Sequence, residues 1–352
     1  MQKVSLTAIV GGALVACLAL AQSAGPYKIV KTAKVGGDGG FDYIYADNDG
    51  RKLYIPRPGQ PDPRIEVFNL DTLEHLGTIP NANARGAAVD TKSGHGFVSS
   101  KPVVMFDAKT LAVIKPITVD GGPDGIMGDP FNQRVYIFSH SAPNATVINA
   151  VDGTVLGTID LGGAPEAAVS DGKGHVYVDI EDKGSIAAVD AKTMQVTAHY
   201  DIHEKGDGCA GLAIDVKNDI LFATCRNPAA MVMVNAANGS VISSVPIDPG
   251  TDGAGFNPNT MEAFSAAGNG TLTVVKENSP TSFAIEQVVK TMNGAKTMTV
   301  DRKTDRVLTM GAEYEPPPAQ PAAPPPGGRG RGRGPGRGPM VAGSFTILAI
   351  GK

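Results

Sequence analysis

Residues 134–165 read RVYIFSHSAPNATVINAVDGTVLGTIDLGGAP, and this stretch decides the fold. It holds three short apolar segments, at 135–138, 146–148 and 155–159, which turn-forming residues separate. Short segments rich in Val, Ile, Tyr and Phe and bounded by Gly, Pro, Asn or Asp are typical of β-strands. The stretch therefore predicts consecutive strands joined by tight turns rather than helices.

The same pattern recurs along the chain with a period near 40 residues. Segments 52–56, 134–138 and 175–179 align as one strand type. The residue that opens the turn before the last strand of each unit recurs every 38 to 45 residues. A period near 40 with four strands per unit indicates a β-propeller blade. These turn-opening residues are Asn69, Asp107, Asn149, Asp190, Asn235 and Lys276.

Seven units can be counted, and the last one is incomplete. Residues 344–350 supply its third strand, after which the chain stops, whereas residues 27–35 resemble the fourth strands of other units. We therefore expect the N-terminal strand to complete the last blade, which removes two exposed sheet edges. The prediction is an all-β, seven-bladed propeller of four-stranded antiparallel blades, a single domain over 25–352. The units begin at Phe41, Ala84, Pro123, Pro165, Cys209, Thr251 and Ala295.

These repeats resemble those of the YVTN or YncE-like seven-bladed propellers, a family of secreted or periplasmic proteins. The resemblance covers nearly all of residues 25–352, and its best carriers are the Tyr-centred strands 53–55, 135–137 and 176–178. Segment 149–159, followed by the Gly-Gly-Ala-Pro of 162–165, adds to it. Blades six and seven lack the Tyr. The resemblance implies the fold and the compartment, and it leaves the ligand open. WD-repeat propellers are disfavoured because the chain has no Trp.

Composition excludes two broad classes of protein. The 352 residues carry a formal net charge of -4, which excludes a strongly basic nucleic-acid-binding protein. Apolar residues make up 42%, too few for a protein that spans a membrane many times. The 44 Gly and 26 Pro exceed average usage and agree with many short strands and turns.

Residues 1–24 read as an export signal. Lys3 precedes an uncharged apolar stretch at 4–20, and small residues suit cleavage near 21–24. The Leu-Val-Ala-Cys of 14–17 also resembles a lipobox, in which Cys17 would be lipidated. We expect a periplasmic or secreted protein with no transmembrane domain after cleavage, or alternatively an outer-membrane lipoprotein.

Two cysteines remain after the signal, Cys209 and Cys225. They lie on two strands joined by a tight turn at 216–219. Antiparallel partners keep a constant sum of residue numbers, and pairing Asp215 with Asp219 places the two cysteines opposite each other. A disulfide is then plausible in an oxidising compartment. A register shift of one residue would instead leave two small buried hydrophobes.

A low-complexity insertion interrupts the last blade at 315–340. Nine Pro and seven Gly in 26 residues cannot bury enough apolar surface to offset the entropy of ordering, so we expect a disordered loop. It reads either as a tolerated insertion or as a basic arm for polyanions such as nucleic acid. The arm residues would be Arg329, Arg331, Arg333 and Arg337.

Charged residues recur where first strands begin and where second strands end, positions that share one face of a propeller. We expect them to line the mouth of the central channel, either paired with one another or binding a ligand. Asp124 and Glu166 are the candidate ligands for a divalent cation, and His140 is a candidate general base. The predicted mouth residues are Asp42, Arg57, Arg85, Asp124, His140, Glu166, Glu181, Arg226, Asp252 and Lys296.

No nucleophile, zinc-protease, phosphate-loop or haem-attachment motif is present in the sequence. We therefore predict a monomeric binding or scaffold module without a resident cofactor, whose partner is a small polar ligand or a protein. The first alternative is a lactonase-like or other metal-assisted hydrolase that uses the same mouth. The second is a polyanion binder that acts through the arm. Fold alone does not choose among them.

Overall fold

The structure, a computed structural model, describes residues 25–59, 61–316 and 338–352. Over these residues the chain forms 28 β-strands in seven four-stranded antiparallel sheets, and its only helical element is a 3₁₀ turn at Glu181–Lys183. The predicted seven-bladed propeller is confirmed. We number the blades 1 to 7 in chain order.

The strands of blades 1 to 4 follow one another along the chain, innermost strand first. Blade 1 comprises β2 (Tyr45–Asp47), β3 (Lys52–Arg57), β4 (Arg64–Asn69) and β5 (His75–Pro80). Blade 2 comprises β6 (Ala87–Asp90), β7 (His95–Val98), β8 (Val103–Asp107) and β9 (Val113–Ile117). Blade 3 comprises β10 (Pro123–Asp129), β11 (Arg134–Ser139), β12 (Asn144–Asn149) and β13 (Val155–Asp160). Blade 4 comprises β14 (Pro165–Ser170), β15 (His175–Ile180), β16 (Ser185–Asp190) and β17 (Gln195–Asp201).

Blades 5 and 6 repeat this order, and blade 7 combines both ends of the chain. Blade 5 comprises β18 (Asp207–Asp215), β19 (Ile220–Asn227), β20 (Ala229–Asn235) and β21 (Val241–Pro246). Blade 6 comprises β22 (Thr251–Asn257), β23 (Glu262–Ala267), β24 (Thr271–Ser279) and β25 (Ser282–Lys290). Blade 7 comprises β26 (Met298–Asp301), β27 (Arg306–Gly311), β28 (Thr346–Gly351) and, outermost, β1 (Lys28–Lys34).

The N-terminal strand closes the ring, as the sequence predicted. Strand β1 pairs antiparallel with β28, from Lys28 opposite Gly351 to Lys34 opposite Thr346. The innermost strands of successive blades contact one another around the ring, and β26 contacts β2 where blade 7 meets blade 1. All seven sheets therefore surround one channel.

Side-chain caps explain the recurring Asp and Asn residues. In six blades the Asp or Asn that ends the first strand accepts a hydrogen bond from the backbone N–H two or three residues later, as Asp129 does from Phe131 at 3.1 Å. In blade 4 the next residue, Asp171, takes this role. Asn69, Asp107, Asn149, Asp190 and Asn235 cap the turn before the fourth strand in the same way. These Asx turns stabilise tight connections. Because most blades carry an Asp or Asn at the same places, the repeat can be recognised in the sequence.

The apolar core lies between neighbouring blades. The Tyr residues at the centres of the second strands, Tyr54, Tyr136 and Tyr177, are at most 4% exposed. Tyr177 packs among residues of blade 5 and donates a hydrogen bond to the carbonyl of Ala236 at 3.0 Å. The hydroxyls of Tyr54 and Tyr136 have no hydrogen-bond partner among the described residues, and these two residues join neighbouring blades through apolar packing alone.

Cys209 and Cys225 are joined by a disulfide across the β18–β19 hairpin. The register beside the turn differs by one residue from the expectation, because Asp215 pairs with Ile220 and not with Asp219. A β-bulge between Cys209 and Gly211 compensates for the difference and brings the two cysteines opposite each other.

Several sequence predictions fall outside the described residues: the signal and its Cys17, and residues 317–337 of the insertion with all four arm arginines. The base of the insertion is described. Tyr314 and Met340 form an antiparallel bridge, and the N–H of Glu315 donates to the carbonyl of Pro339 at 2.9 Å. Among the described residues, no helix is long and apolar enough to cross a membrane.

Candidate ligand-binding site

The first strands of blades 3 to 6 carry a β-bulge close to their start. The register shifts between Pro123 and Ile126, between Pro165 and Ala168, and between Thr251 and Gly253. Asp124, Glu166 and Asp252 lie within these three bulges. A bulge leaves a residue outside the hydrogen-bonded ladder and re-aims its side chain, which places these carboxylates at the channel mouth.

Ion pairs link several blades at the mouth. Arg85 Nη1 lies 2.9 Å from Asp42 Oδ2. Arg226 at the end of β19 contacts both Glu181 and Asp252, and Lys296 contacts the other oxygen of Asp252. Part of the predicted charge ring is therefore internally neutralised.

A second group of polar side chains surrounds Glu166. The Tyr43 hydroxyl donates to Glu166 Oε1 at 2.9 Å. His140 Nε2 lies 3.0 Å from Glu181 Oε2 and 4.0 Å from Glu166 Oε2. Blades 3 and 4 thus contribute one imidazole and two carboxylates to one place.

Three carboxyl groups of the mouth are hard to ionise. The pKa of Glu166 is raised to about 7, mainly because its carboxyl is removed from water; the charges of Asp124 and Glu181 add to the shift and the hydrogen bond from Tyr43 opposes it. Burial also raises the pKa of Asp42 and of Asp124, although nearby cations act in the opposite direction.

The pKa values of two basic groups of the mouth are also raised, by the carboxylates around them. Burial works to lower the pKa of His140, but the hydrogen bond with Glu181 and the charge of Glu166 outweigh it and raise the pKa. For Arg226, burial likewise lowers the pKa and the charges of Asp252 and Glu181 more than compensate. An excess of negative charge therefore dominates the electrostatics.

Two carboxylates lack partners. The Asp124 carboxylate makes no hydrogen bond or ion pair with any residue that the structure describes, although the charges of Arg85, His140 and Lys296 act to lower its pKa. Asp179 on β15 is 0% exposed, and neither of its oxygens has a hydrogen-bond partner among the described residues. Burial raises the pKa of Asp179 well above its usual range, and the charges of Glu166 and Glu181 add to this.

Sequence reasoning missed Asp179, although a signal was present. Segment 175–179 aligns with segment 134–138, whose last residue is the apolar Phe138. A charged residue at an apolar position of a second strand is unusual, because an ionised group is costly to bury without a partner.

The channel beneath the mouth is small and partly apolar. It encloses about 140 Å³, the volume of roughly five waters at about 30 Å³ each. Gly211 and Gly253 allow the inner strands to approach closely, since a Cβ on Gly211 would lie 2.6 Å from the backbone nitrogen of Ala254. The residues that line the channel include Tyr43, Ile126, Glu166, Leu212, Asp252 and Thr297.

Arg57 is the predicted mouth residue that the structure places elsewhere. It is 1% exposed, its guanidinium lies 3.7 Å from the Phe345 ring centroid, and it donates to the carbonyl of Asp38 at 2.9 Å. Burial lowers the pKa of Arg57 to about 10. Arg57 therefore holds the segment between β1 and β2 against blade 7.

The side chains that lie close enough to bind one metal ion differ from the pair that the sequence predicted. Within the described part of the chain, the side chains close enough to share one ion are His140, Glu166 and Glu181, whose ligand atoms all lie within 4.8 Å of one another. The sequence paired Glu166 with Asp124, which is not a member of this group.

Comparison with known proteins supports the fold alone. No family model matches the chain. No curated protein matches it in sequence. Among solved structures, a chain of the "Crystal Structure of Mitotic Checkpoint Complex" superposes with a TM-score of 0.68 at 10% identity, and the match covers 88% of this chain and 94% of that one. An identity this low carries no information on the ligand.

Proposed function

We propose that this chain is an exported, YVTN/YncE-like β-propeller that acts as a binding module, and that a small polar ligand carrying positive charge binds at its channel mouth. The observation that carries the proposal is the pair of partly buried carboxyl groups, Asp124 and Glu166, whose pKa values are raised. Keeping such groups out of water costs free energy, and a cationic ligand would recover it.

The charge count favours a cation over an anion. The mouth holds three fixed cations and five carboxyl groups, which gives a formal net charge of -2 with every carboxyl group ionised and His140 neutral. Clefts lined by one sign of charge concentrate ligands of the opposite sign. The five carboxylates are Asp42, Asp124, Glu166, Glu181 and Asp252, and the cations are Arg85, Arg226 and Lys296.

The channel volume limits the size of the ligand. A space of about 140 Å³ accepts an ammonium or guanidinium head group with a few carbon atoms. Channel-lining side chains such as Ile126 and Leu212 would contact the carbon atoms while the carboxylates bind the charged end.

Export is part of the proposal. Disulfides persist in oxidising compartments, and the Cys209–Cys225 bond suits the periplasm or the cell exterior. The apolar stretch after Lys3 fits a cleaved signal, and lipidation at Cys17 is the alternative. N-terminal sequencing and mass measurement of the exported protein distinguish a start near residue 25 from a lipidated Cys17.

The binding test is a thermal-shift panel of small amines, guanidines and quaternary ammonium salts, beside carboxylates of matching size. At 100 times its Kd, a ligand stabilises the folded protein by about 2.7 kcal/mol, so cationic members should raise the unfolding temperature. Asp124→Asn should abolish the shift, and Asp49→Asn, an exposed acid on the opposite face, should leave it intact. A panel in which only carboxylates stabilise the protein would refute the proposal.

A hydrolase is the second candidate, and the raised pKa of Glu166 favours it. A carboxyl group that titrates at about 7 is suited to transfer protons at neutral pH. Hydrolysis of sugar and acyl lactones by the purified protein, lost in Glu166→Gln, would establish this function. No turnover across the lactone panel, with or without divalent metal, would remove it.

A further inference from the structure

Three side chains at the junction of blades 3 and 4 bring candidate ligand atoms close to one another. His140 Nε2 lies 3.0 Å from Glu181 Oε2 and 4.0 Å from Glu166 Oε2. Zinc binds imidazole nitrogen and carboxylate oxygen at about 2.0–2.2 Å, so two ligands of one ion lie at most about 4 Å apart. The two measured separations fall within that limit.

The other carboxylate oxygen of each glutamate, Oε1, accepts a hydrogen bond from a residue outside this group of three. Tyr43 donates its hydroxyl proton to Glu166 Oε1 at 2.9 Å, and Arg226 binds Glu181 Oε1. Metal sites characteristically fix their ligands through such outer hydrogen bonds, which orient a carboxylate toward the ion. This arrangement leaves the Oε2 atoms of both glutamates directed to the same imidazole.

An independent observation at the same place is the buried carboxylate of Asp179. It is 0% exposed, and neither of its oxygens has a hydrogen-bond partner in the described structure. In the β14–β15 ladder it lies opposite the bulge that contains Glu166. Buried charges are paired or lie beside metals, and no cation of the described chain pairs with Asp179.

We propose that His140, Glu166 and Glu181 bind a first-row divalent cation of the zinc type, with the buried carboxyl group of Asp179 beside them. The inference rests on the proposed role of the mouth as a binding site and names one ligand for it. A mixed imidazole and carboxylate set favours zinc or manganese over calcium and magnesium, which prefer oxygen alone. Three protein ligands leave a fourth position open to water or to a further ligand.

Binding of the ion displaces the proton of His140 Nε2. Since Glu181 Oε2 accepts the hydrogen bond, His140 Nε2 carries the proton in the metal-free protein. A lone pair on Nε2 must be free to form the Zn–N bond, so the Nε2–H bond breaks, the proton passes to water, and Nδ1 takes up a proton from water. The imidazole stays neutral and releases no net proton.

The test is isothermal titration of the chelator-stripped, purified protein with Zn²⁺. We expect one ion per chain. Glu166→Gln and His140→Ala should each weaken binding at least about 100-fold, and Tyr43→Phe about 10-fold, the range for loss of an outer hydrogen bond.

His175→Ala is the matched control. His175 Nδ1 lies 2.7 Å from Asp171 Oδ2, a histidine–carboxylate pair without a second glutamate. Its removal should leave Zn²⁺ affinity unchanged. Co²⁺ in place of Zn²⁺ gives a visible absorption band that should disappear in Glu166→Gln, and circular dichroism establishes that each variant is folded.

Unchanged affinity in folded Glu166→Gln, equal loss in His175→Ala, or no binding of Zn²⁺ or Mn²⁺ would overturn the inference. The thermal-shift panel runs in the presence of chelator, so the two ideas fail separately. Stabilisation by organic cations without any metal binding removes the metal site and retains the binding module.

Discussion

Reduction of the Cys209–Cys225 disulfide is expected to cost the folded protein about 3 kcal/mol. The bond closes a loop with a sequence separation of 16 residues, and in the chain-entropy treatment a closed loop of about 15 residues stabilises the native state by about 3 kcal/mol. Both sulfurs lie in the core, where Cys225 is 0% and Cys209 2% exposed. The free thiols therefore stay buried as small hydrophobes, and the lost constraint on the unfolded chain dominates.

The chain has no Trp, so urea unfolding is followed by far-UV circular dichroism with and without reductant. With a slope near 3 kcal/mol per molar urea, the midpoint should fall by about 1 M. A Cys209→Ser/Cys225→Ser double variant should unfold at one midpoint under both conditions. If mass spectrometry shows free thiols and the midpoint of the natural protein is unchanged, the reasoning is refuted.

Three further predictions concern stability. Burial acts to raise the pKa of Asp301, but hydrogen bonds, led by the one from Arg51 at 2.7 Å, outweigh it and lower the pKa. The stability from this contact between blades 7 and 1 should therefore be present above the unfolded pKa of about 4 and be lost as pH falls below it. Asp301→Asn should cost about 2 kcal/mol at pH 7 and flatten the acid side of a profile of stability against pH. Gly211→Ala should destabilise by about 1–3 kcal/mol in the same urea assay, whereas Gly40→Ala, whose Cβ meets its nearest atom at 3.6 Å, should be nearly neutral; equal effects would contradict the close approach of the inner strands. Because the pKa of Asp179 is raised in the folded protein, its ionisation lowers the free energy of unfolding as pH rises. Asp179→Asn should therefore stabilise the metal-free protein at pH 8 by about 1–3 kcal/mol. Destabilisation at pH 8 would show that the carboxylate has a stabilising partner.

Blade number and ring closure were predictable because both depend on local chemistry. An Asp or Asn that caps a turn, such as Asn149, leaves a mark at a fixed place in each repeat. Segment 27–35 resembles a fourth strand without a blade of its own, and the last blade lacked a fourth strand, so ring closure by the N-terminal strand could be predicted. The register of the cysteine hairpin was less accessible, since the bulge at Ala210 has no side-chain signature.

The site was predictable in outline only. Strand starts and strand ends identified which charged residues converge, and nine of the ten do. Their partners depend on the separation between blades, which no repeat alignment supplies, so the contact of His140 with Glu181 required the structure. Arg57 occupies an equivalent position in sequence, but the loop before β2 and the Phe345 ring bury it.

Cation binding at the mouth is tested most directly by inversion of charge at the Asp124 carboxylate. Asp124→Lys changes the formal net charge of the mouth from -2 to 0 and places an ammonium group where the cationic ligand is proposed to bind. Titration calorimetry with the best amine from the panel should then show affinity reduced by at least about 100-fold, since lost or repulsive charge contacts in a desolvated site cost several kcal/mol. A folded Asp124→Lys protein that binds the same amine with unchanged affinity would show that the mouth carboxylates do not bind the cation.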